Sequence, residues 1–301
     1  MRRPYWRNDT VTLHLGEARQ ILAGLPDHTV DCVITRPPVY RPGGNPMAGR
    51  IGSEETSAAY LVALRQVFAE IYRVLAADGT CWISLRDHRP SPAAGRGNAS
   101  GTSGGSLLGL PWQLALSLRA DGWIIRDAIV CLCPTSSPDG GCFAGQYETL
   151  FALAKQHSHW FAPPRGDEGH HGCRTPRRPN THCGLWPLPT VRLHDGRHQP
   201  DVLPPRRQHR EVSGNTSGNT WTSAAAPSGG RPSMGIPVGI SIRCVAAGCR
   251  PGGTVLDPFA GTGNVGVSAR HLGRRFIGSE LSPCRLNATD HRNLPPVDWN
   301  G

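Results

Sequence analysis

Lysine is almost missing from this chain. Lys155 is the only one, so nearly all of the 32 basic side chains are arginine, and they carry a net charge of +10. That surplus suits a polyanionic partner, because arginines neutralise phosphates and release counterions. A GC-rich coding bias would also produce it, together with the 37 glycines and 28 prolines. No apolar run approaches the roughly 18 residues that span a bilayer, and no early segment has the charged, apolar and small-residue order of a secretion signal. A soluble, cytoplasmic protein without a membrane partner is therefore expected. The ten cysteines show no Cys-x-x-Cys pair, and Cys32, Cys81 and Cys131 stand inside apolar strand-like runs. They read as small core residues in a reducing compartment. His170, His171, Cys173, His182 and Cys183 are the one cluster with a metal flavour, but their spacing suits polar loop residues better, so no metal is expected.

What is present is an alternation of short apolar runs and amphipathic stretches, over a length of 301 residues that allows one large domain or two of roughly 150. Val11–Leu15 alternates like a strand and Ile21–Leu25 like a short helix. Asp31–Ile34 reads as a strand delivering residues 35–40 to its C-terminal end, where α/β sheets bind ligands. From Ser57 to Ala76 the residues Tyr60, Leu64, Val67, Phe68, Ile71 and Leu75 recur at helical spacing, with Asp78-Gly79 as the stop and Cys81–Leu85 as the next strand. Residues 88–106 lack apolar periodicity and read as a mobile loop. Pro111 opens a further helix, Trp123–Cys133 a further strand, and Met234–Cys249 is helix-like. The pattern predicts an α/β fold with a doubly wound, mostly parallel sheet.

The segment Thr254-Val255-Leu256-Asp257-Pro258-Phe259-Ala260-Gly261-Thr262-Gly263 reads as a buried strand running into a turn that only small residues can make. Gly261 and Gly263 let the backbone bend towards a ligand, and the following helix points its N-terminus at it. Arg275–Glu280 reads as a second strand ending in a carboxylate suited to ribose hydroxyls. A glycine pair after a strand is a weak signal alone.

Three further features make it specific. Asp257–Gly263, followed by Gly278-Ser279-Glu280-Leu281-Ser282-Pro283, resembles motifs I and II of the amino-group DNA methyltransferases that use S-adenosylmethionine. Thr35-Arg36-Pro37-Pro38-Val39-Tyr40 resembles their motif IV, written Thr-Ser-Pro-Pro-Tyr or Asp-Pro-Pro-Tyr. The catalytic-type motif precedes the cofactor motif, which is the permuted order of the β group. Residues 50–54, 74–80, 118–123 and 147–155 also fall where that family has similar strings, so the likeness covers roughly residues 9–161 and 219–290.

The resemblance implies a Rossmann-like, S-adenosylmethionine-dependent fold, with residues 1–161 as the catalytic half and 231–301 as the cofactor half. Between them, residues 162–230 form a basic, irregular insertion for target recognition, where phosphate contacts would position the protein and base-edge contacts would choose the sequence. A loop with no recognition role is the alternative there. Double-stranded DNA is the implied partner, with room for a restriction endonuclease of the same system. Asp257, Phe259, Gly261 and Gly263 would lie around the methionine part of the cofactor, and Glu280 would hold the ribose. Glu17 stands where the family usually has Asp near the adenine, although solvation at the core edge serves equally well. Asn219-Thr220-Trp221-Thr222 resembles a segment preceding motif X, though a buried Trp is the simpler account of Trp221. Thr35, Arg36, Pro37, Pro38 and Tyr40 form the catalytic loop. In the family the Ser or Asp side chain and the next carbonyl accept the amino hydrogens, and the Tyr stacks on a base flipped out of the helix. Positioning and electrostatics carry such a reaction.

Two departures fall within that loop. Arg36 occupies the Ser/Asp position, and a guanidinium offers five donors and no acceptor. Its charge would also repel a sulfonium. Val39 separates Pro38 from Tyr40, so either the loop bulges to keep the ring in place or Val39 fills the aromatic slot and stacking is lost. A third departure, Cys131-Leu132-Cys133-Pro134, stands where related chains tend to have Lys before Pro. Thr35 leans the expected target towards cytosine N4, with adenine N6 next. A catalytically silent DNA-binding relative is the alternative. A nicotinamide-dependent oxidoreductase is more remote: Gly261-Thr262-Gly263-Asn264-Val265-Gly266 meets its spacing, but the Pro-Pro segment is left unexplained.

Overall fold

The computed structural model describes residues 3–43, 50–90, 106–133, 146–162, 220–222 and 235–288. Its strands are β1 (Trp6–Arg7), β2 (Val11–Leu15), β3 (Val30–Thr35), β4 (Leu75–Leu85), β5 (Ile124–Cys133), β6 (Gln146–Ala154), β7 (Thr220–Thr222), β8 (Thr254–Asp257) and β9 (Arg275–Glu280). Its helices are α1 (Ala18–Ala23), α2 (Ser57–Val74), α3 (Leu110–Ala120), α4 (Val238–Gly248), α5 (Asn264–His271) and α6 (Pro283–Ala288).

The strands form one sheet in the order β1-β2-β9-β8-β3-β4-β6-β5-β7. The central run β2, β9, β8, β3 and β4 is parallel, and β6 enters antiparallel between β4 and β5. The expected α/β class and doubly wound topology are therefore present. From β3 the chain crosses to β4 on one side, while from β8 it crosses to β9 on the other. The winding direction thus reverses between β3 and β8, which leaves a crevice outside the carboxyl ends of those two strands.

Burial explains the element boundaries. In α2 the side chains Tyr60, Leu64, Val67, Phe68, Ile71 and Val74 are buried on one face, and Thr56 caps the start by accepting the Ala59 N–H at 3.1 Å. With Val33, Ile83 and Phe151 they make the core on one side of the sheet. On the other side α4 and α5 pack on Ile34, Trp82, Leu150 and Val255. Cys32, Cys81 and Cys131 are buried thiols in these cores, as expected.

Some boundaries differ from the sequence expectation. The helix ends at Val74 rather than Ala76, because Leu75 already pairs with Val30, and Asp78-Gly79 lies inside β4 rather than stopping a helix. There the register shifts between Val30 and Cys32, and a Cβ on Gly79 would sit 2.8 Å from the Asp31 carbonyl oxygen. Only glycine fits that close approach. Helix α1 starts at Ala18, earlier than Ile21. Most of the expected loop 88–106 and of the interval 162–230, including the His/Cys cluster, lies outside the described residues. Of that interval β7 is described, and it pairs with β5 at the sheet edge. Among the described residues no helix is long and apolar enough to cross a membrane, and no group of His, Cys, Asp and Glu could hold a metal ion.

Candidate active site at the strand tips

The turn after β8 is built from left-handed glycines: Gly261 has φ 54° and Gly263 φ 82°, and Gly263 sits at the N-cap of α5. A side chain at either position would be strained. The turn is tied to β9 by the Ala260 N–H donating to the Ser279 carbonyl at 2.9 Å and by the Ser279 hydroxyl donating to the Pro258 carbonyl at 2.8 Å. Glu280 closes the same corner. Its carboxylate accepts the Gly261 N–H at 3.0 Å and the Ser282 N–H at 2.9 Å, with Arg285 at 3.7 Å. Since a carboxylate has about four acceptor positions, it retains capacity for hydroxyl donors. The Gly16 N–H donates to the Glu280 carbonyl at 3.0 Å, which brings Glu17, at the start of α1, to the same edge. Phe259 is half-buried against the core under α2.

On the neighbouring strand, Thr35 ends β3 fully buried, and the Arg36–Tyr40 loop leaves from its tip. The Arg36 guanidinium does not stand free in the crevice. It pairs with Glu148 on β6 and donates to the Gly235 carbonyl at 3.4 Å. The same Glu148 carboxylate takes Arg86 at 3.1 Å and the Ser84 hydroxyl at 2.8 Å. Two guanidiniums thus share one carboxylate whose side chain is 5% exposed. Gly235 and Ile236 precede α4, and Asn264, the first residue of α5, donates to the Ile236 carbonyl at 3.0 Å. Arg36 and Asn264 therefore hold this segment from the two motifs.

Of the two arrangements open for Val39 and Tyr40, the geometry favours the second. Tyr40 is 5% exposed, with its ring 5.4 Å from Tyr60 and edge-on to His88, and its hydroxyl donates to the Glu55 carbonyl at 3.2 Å. Val39 is the half-buried residue beside Pro38. Trp221 stacks on Trp82 at 6.3 Å with Arg243 over its ring, which is the packing role expected as the simpler account.

The two loops meet through one contact. The Thr35 hydroxyl donates to Asp257 at 2.7 Å, and the Phe259 N–H donates to the same carboxyl oxygen at 3.0 Å. Burial pushes the Asp257 carboxyl up to about 7, against the lowering effect of its Thr35 and Phe259 hydrogen bonds, with Glu280 adding a smaller push upward. So Thr35, Arg36, Pro37, Asp257, Phe259, Gly261, Gly263, Glu280 and Glu17 gather at one end of the sheet, whereas Tyr40 turns its ring into the core. Sequence reading gave no site role to Glu148, Ser84 or Arg86, and took Tyr60 only as an apolar position of a helix. The signal for Glu148 was there: a carboxylate in the apolar run Tyr147–Ala154 must find a partner.

A family profile described as DNA methylase, covering the N6 and N4 enzymes, matches residues 4–290. The type II methyltransferase M.SmaI of Serratia marcescens is 28% identical over 286 residues, covering 89% of this chain and 85% of that protein. M.XycI of Xanthomonas campestris pv. cyanopsidis is 29% identical over 290 residues, covering 90% and 84%. Among solved structures, the cytosine-N4-specific PvuII DNA methyltransferase superposes with a TM-score of 0.64 at 13% identity, over 98% of this chain and 90% of its own. A putative DNA modification methylase of Thermus thermophilus, complexed with S-adenosyl-L-methionine, gives 0.56 at 22% identity over 93% of both chains. These structures share the fold, and the profile match spanning nearly the whole chain establishes that this protein belongs to the N6/N4 DNA methylase family.

Proposed function

We propose that this DNA methyltransferase uses S-adenosylmethionine to methylate an exocyclic amino nitrogen in double-stranded DNA, cytosine N4 before adenine N6. The observation that carries the reading is the 2.7 Å bond from Thr35 to Asp257, which sets the Pro-Pro loop beside the glycine turn at the switch point. The cofactor fits the residues present. Left-handed Gly261 and Gly263 leave room for close approach, the N-terminus of α5 faces the turn, and the Glu280 carboxylate has acceptor capacity for ribose hydroxyls. In this reading Glu17 would approach the adenine edge and Phe259 would supply an apolar wall. When bound, S-adenosylmethionine supplies an electrophilic methyl carbon.

The amino nitrogen of the base is a poor nucleophile because its lone pair is delocalised into the ring, so the protein's work is positioning. The Pro37 carbonyl would accept one amino hydrogen, and Pro37 and Pro38 keep the loop stiff while the base is out of the stack. Val39 offers an apolar surface where an aromatic ring would stack, which weakens the hold on the base by about 1–3 kcal/mol. Thr35 before the altered position supports cytosine N4, as in the Thr-Ser-Pro-Pro-Tyr form. A type II arrangement, with a restriction endonuclease that cuts the same sequence, is part of this reading and draws on the named relatives.

One observation favours a second reading, a cofactor-binding but catalytically silent relative. Arg36 provides no acceptor for the second amino hydrogen. Pairing with Glu148 offsets its charge towards a sulfonium without restoring that acceptor. Digesting DNA from cells expressing the protein to nucleosides decides between them. N4-methylcytosine supports the first reading, N6-methyladenine moves the target, and unmodified DNA together with calorimetric cofactor binding selects the second.

A further inference from the structure

Pro37 and Pro38 have no N–H, so the loop after β3 cannot fasten these two residues through donors of their own. Their carbonyls have to be held from elsewhere. Tyr60, in the first turn of α2, donates its phenol hydroxyl to the Pro38 carbonyl at 2.8 Å, and the whole residue is 2% exposed. Burial, with Glu54 nearby, pushes the phenol far above its ordinary value, so the oxygen keeps its proton and remains a donor.

The residues before α2 support the same loop from its far end. Gly52 has φ 106°, and a Cβ there would lie 2.7 Å from the Val39 carbonyl oxygen. The Gly52 carbonyl accepts the Arg41 N–H at 2.7 Å, and its own N–H donates to Glu54 at 2.8 Å. Tyr40 lies against Tyr60 and reaches back to Glu55. The segment from Gly52 to Tyr60 is thus a cradle moulded on residues 38–41, and Tyr60 is its contact with the prolines.

We propose that Tyr60 is a positioning residue for methyl transfer, its hydrogen bond to Pro38 setting the direction of the adjoining Pro37 carbonyl against the amino group of the target base. The role rests on the methyltransferase reading above. The two carbonyls lie in adjacent peptide planes hinged at the Pro38 Cα, where the ring fixes φ and leaves ψ as the soft dihedral, so releasing one loosens the aim of the other. Geometry errors near 1 Å can cost about a hundredfold in rate.

The test compares wild type with Tyr60→Phe, and with Tyr72→Phe as a control that loses a phenol hydroxyl about three turns along the same helix. Transfer from labelled S-adenosylmethionine to unmethylated genomic DNA gives kcat and KM, and thermal unfolding gives stability. The expected result is a tenfold to hundredfold fall in kcat for Tyr60→Phe with KM values for DNA and cofactor within about twofold, and a near-wild-type control. A kcat for Tyr60→Phe within about twofold of wild type overturns the positioning role alone. So does a loss of kcat that tracks a large drop in melting temperature with KM worsening in parallel. A wild-type chain that transfers no methyl overturns the methyltransferase reading, and the role of Tyr60 with it.

Discussion

Thr35 and Asp257 are 222 residues apart in sequence, yet the Thr35 hydroxyl donates to the Asp257 carboxyl at 2.7 Å inside the sheet. The contact joins the tips of β3 and β8, the strands on either side of the point where the winding reverses. It ties the loop proposed to face the base to the turn proposed to face the cofactor.

Replacing Thr35 by Val keeps the shape and removes the donor. The buried Asp257 carboxyl then keeps the Phe259 N–H but loses its hydroxyl donor, and the expected cost is about 1 kcal/mol of stability. Urea unfolding of Thr35→Val beside Thr35→Ser measures it, with Ser retaining most of the contact. Equal midpoints for the two variants would show that the hydroxyl contributes nothing.

Asp257 also makes a prediction about pH. Its carboxyl is pushed up from 3.8 to about 7, so between those values the folded chain holds a proton that the unfolded chain has released. Stability from this group is therefore fully present below about pH 4, declines as pH rises to about 7, and is flat above. Asp257→Asn has no such proton. The stability of wild type relative to that variant should fall between about pH 4 and pH 7 in parallel urea titrations and level off above, and a constant difference would contradict the assignment.

Glu148 pairs with both Arg36 and Arg86. Glu148→Gln removes the buried carboxylate that both guanidiniums share and is expected to destabilise the fold by about 1–3 kcal/mol. It should also weaken binding of the cationic cofactor more than that of its neutral thioether product, because the released charge lies near the crevice. Calorimetry with both ligands reads the difference, and an equal loss for the two would place the charge elsewhere.

Arg36→Ser combined with deletion of Val39 restores both an acceptor and the spacing of the family loop. If Arg36 limits the reaction, this variant transfers labelled methyl to mixed genomic DNA at least tenfold faster than the native chain. Robust transfer by the native chain, without gain in the variant, would show that Arg36 is compatible with full activity.

How much of this was legible beforehand differs by element. Glycines with left-handed φ, an acid ending a strand and prolines after another strand are local signals, so residues 257–263, Glu280 and residues 35–38 could be read directly from the sequence. The end of α2 differs because Leu75 continues the helical spacing of Leu64, Phe68 and Ile71, whereas pairing with β3 draws it into β4. Tyr60 looked like any other apolar position of a helix, since periodicity reports the buried face and says nothing about where a hydroxyl points.

The sequence by itself determined the alternation of elements, the two glycine and proline turns and the family they resemble, because each depends on a few neighbouring residues. Tertiary structure alone decided that Arg36 lies against Glu148, that Tyr40 turns inward beside Tyr60, and that Thr35 meets Asp257. Those outcomes depend on which strands become neighbours and on where burial leaves a charge or hydroxyl in need of a partner, and no local pattern encodes that.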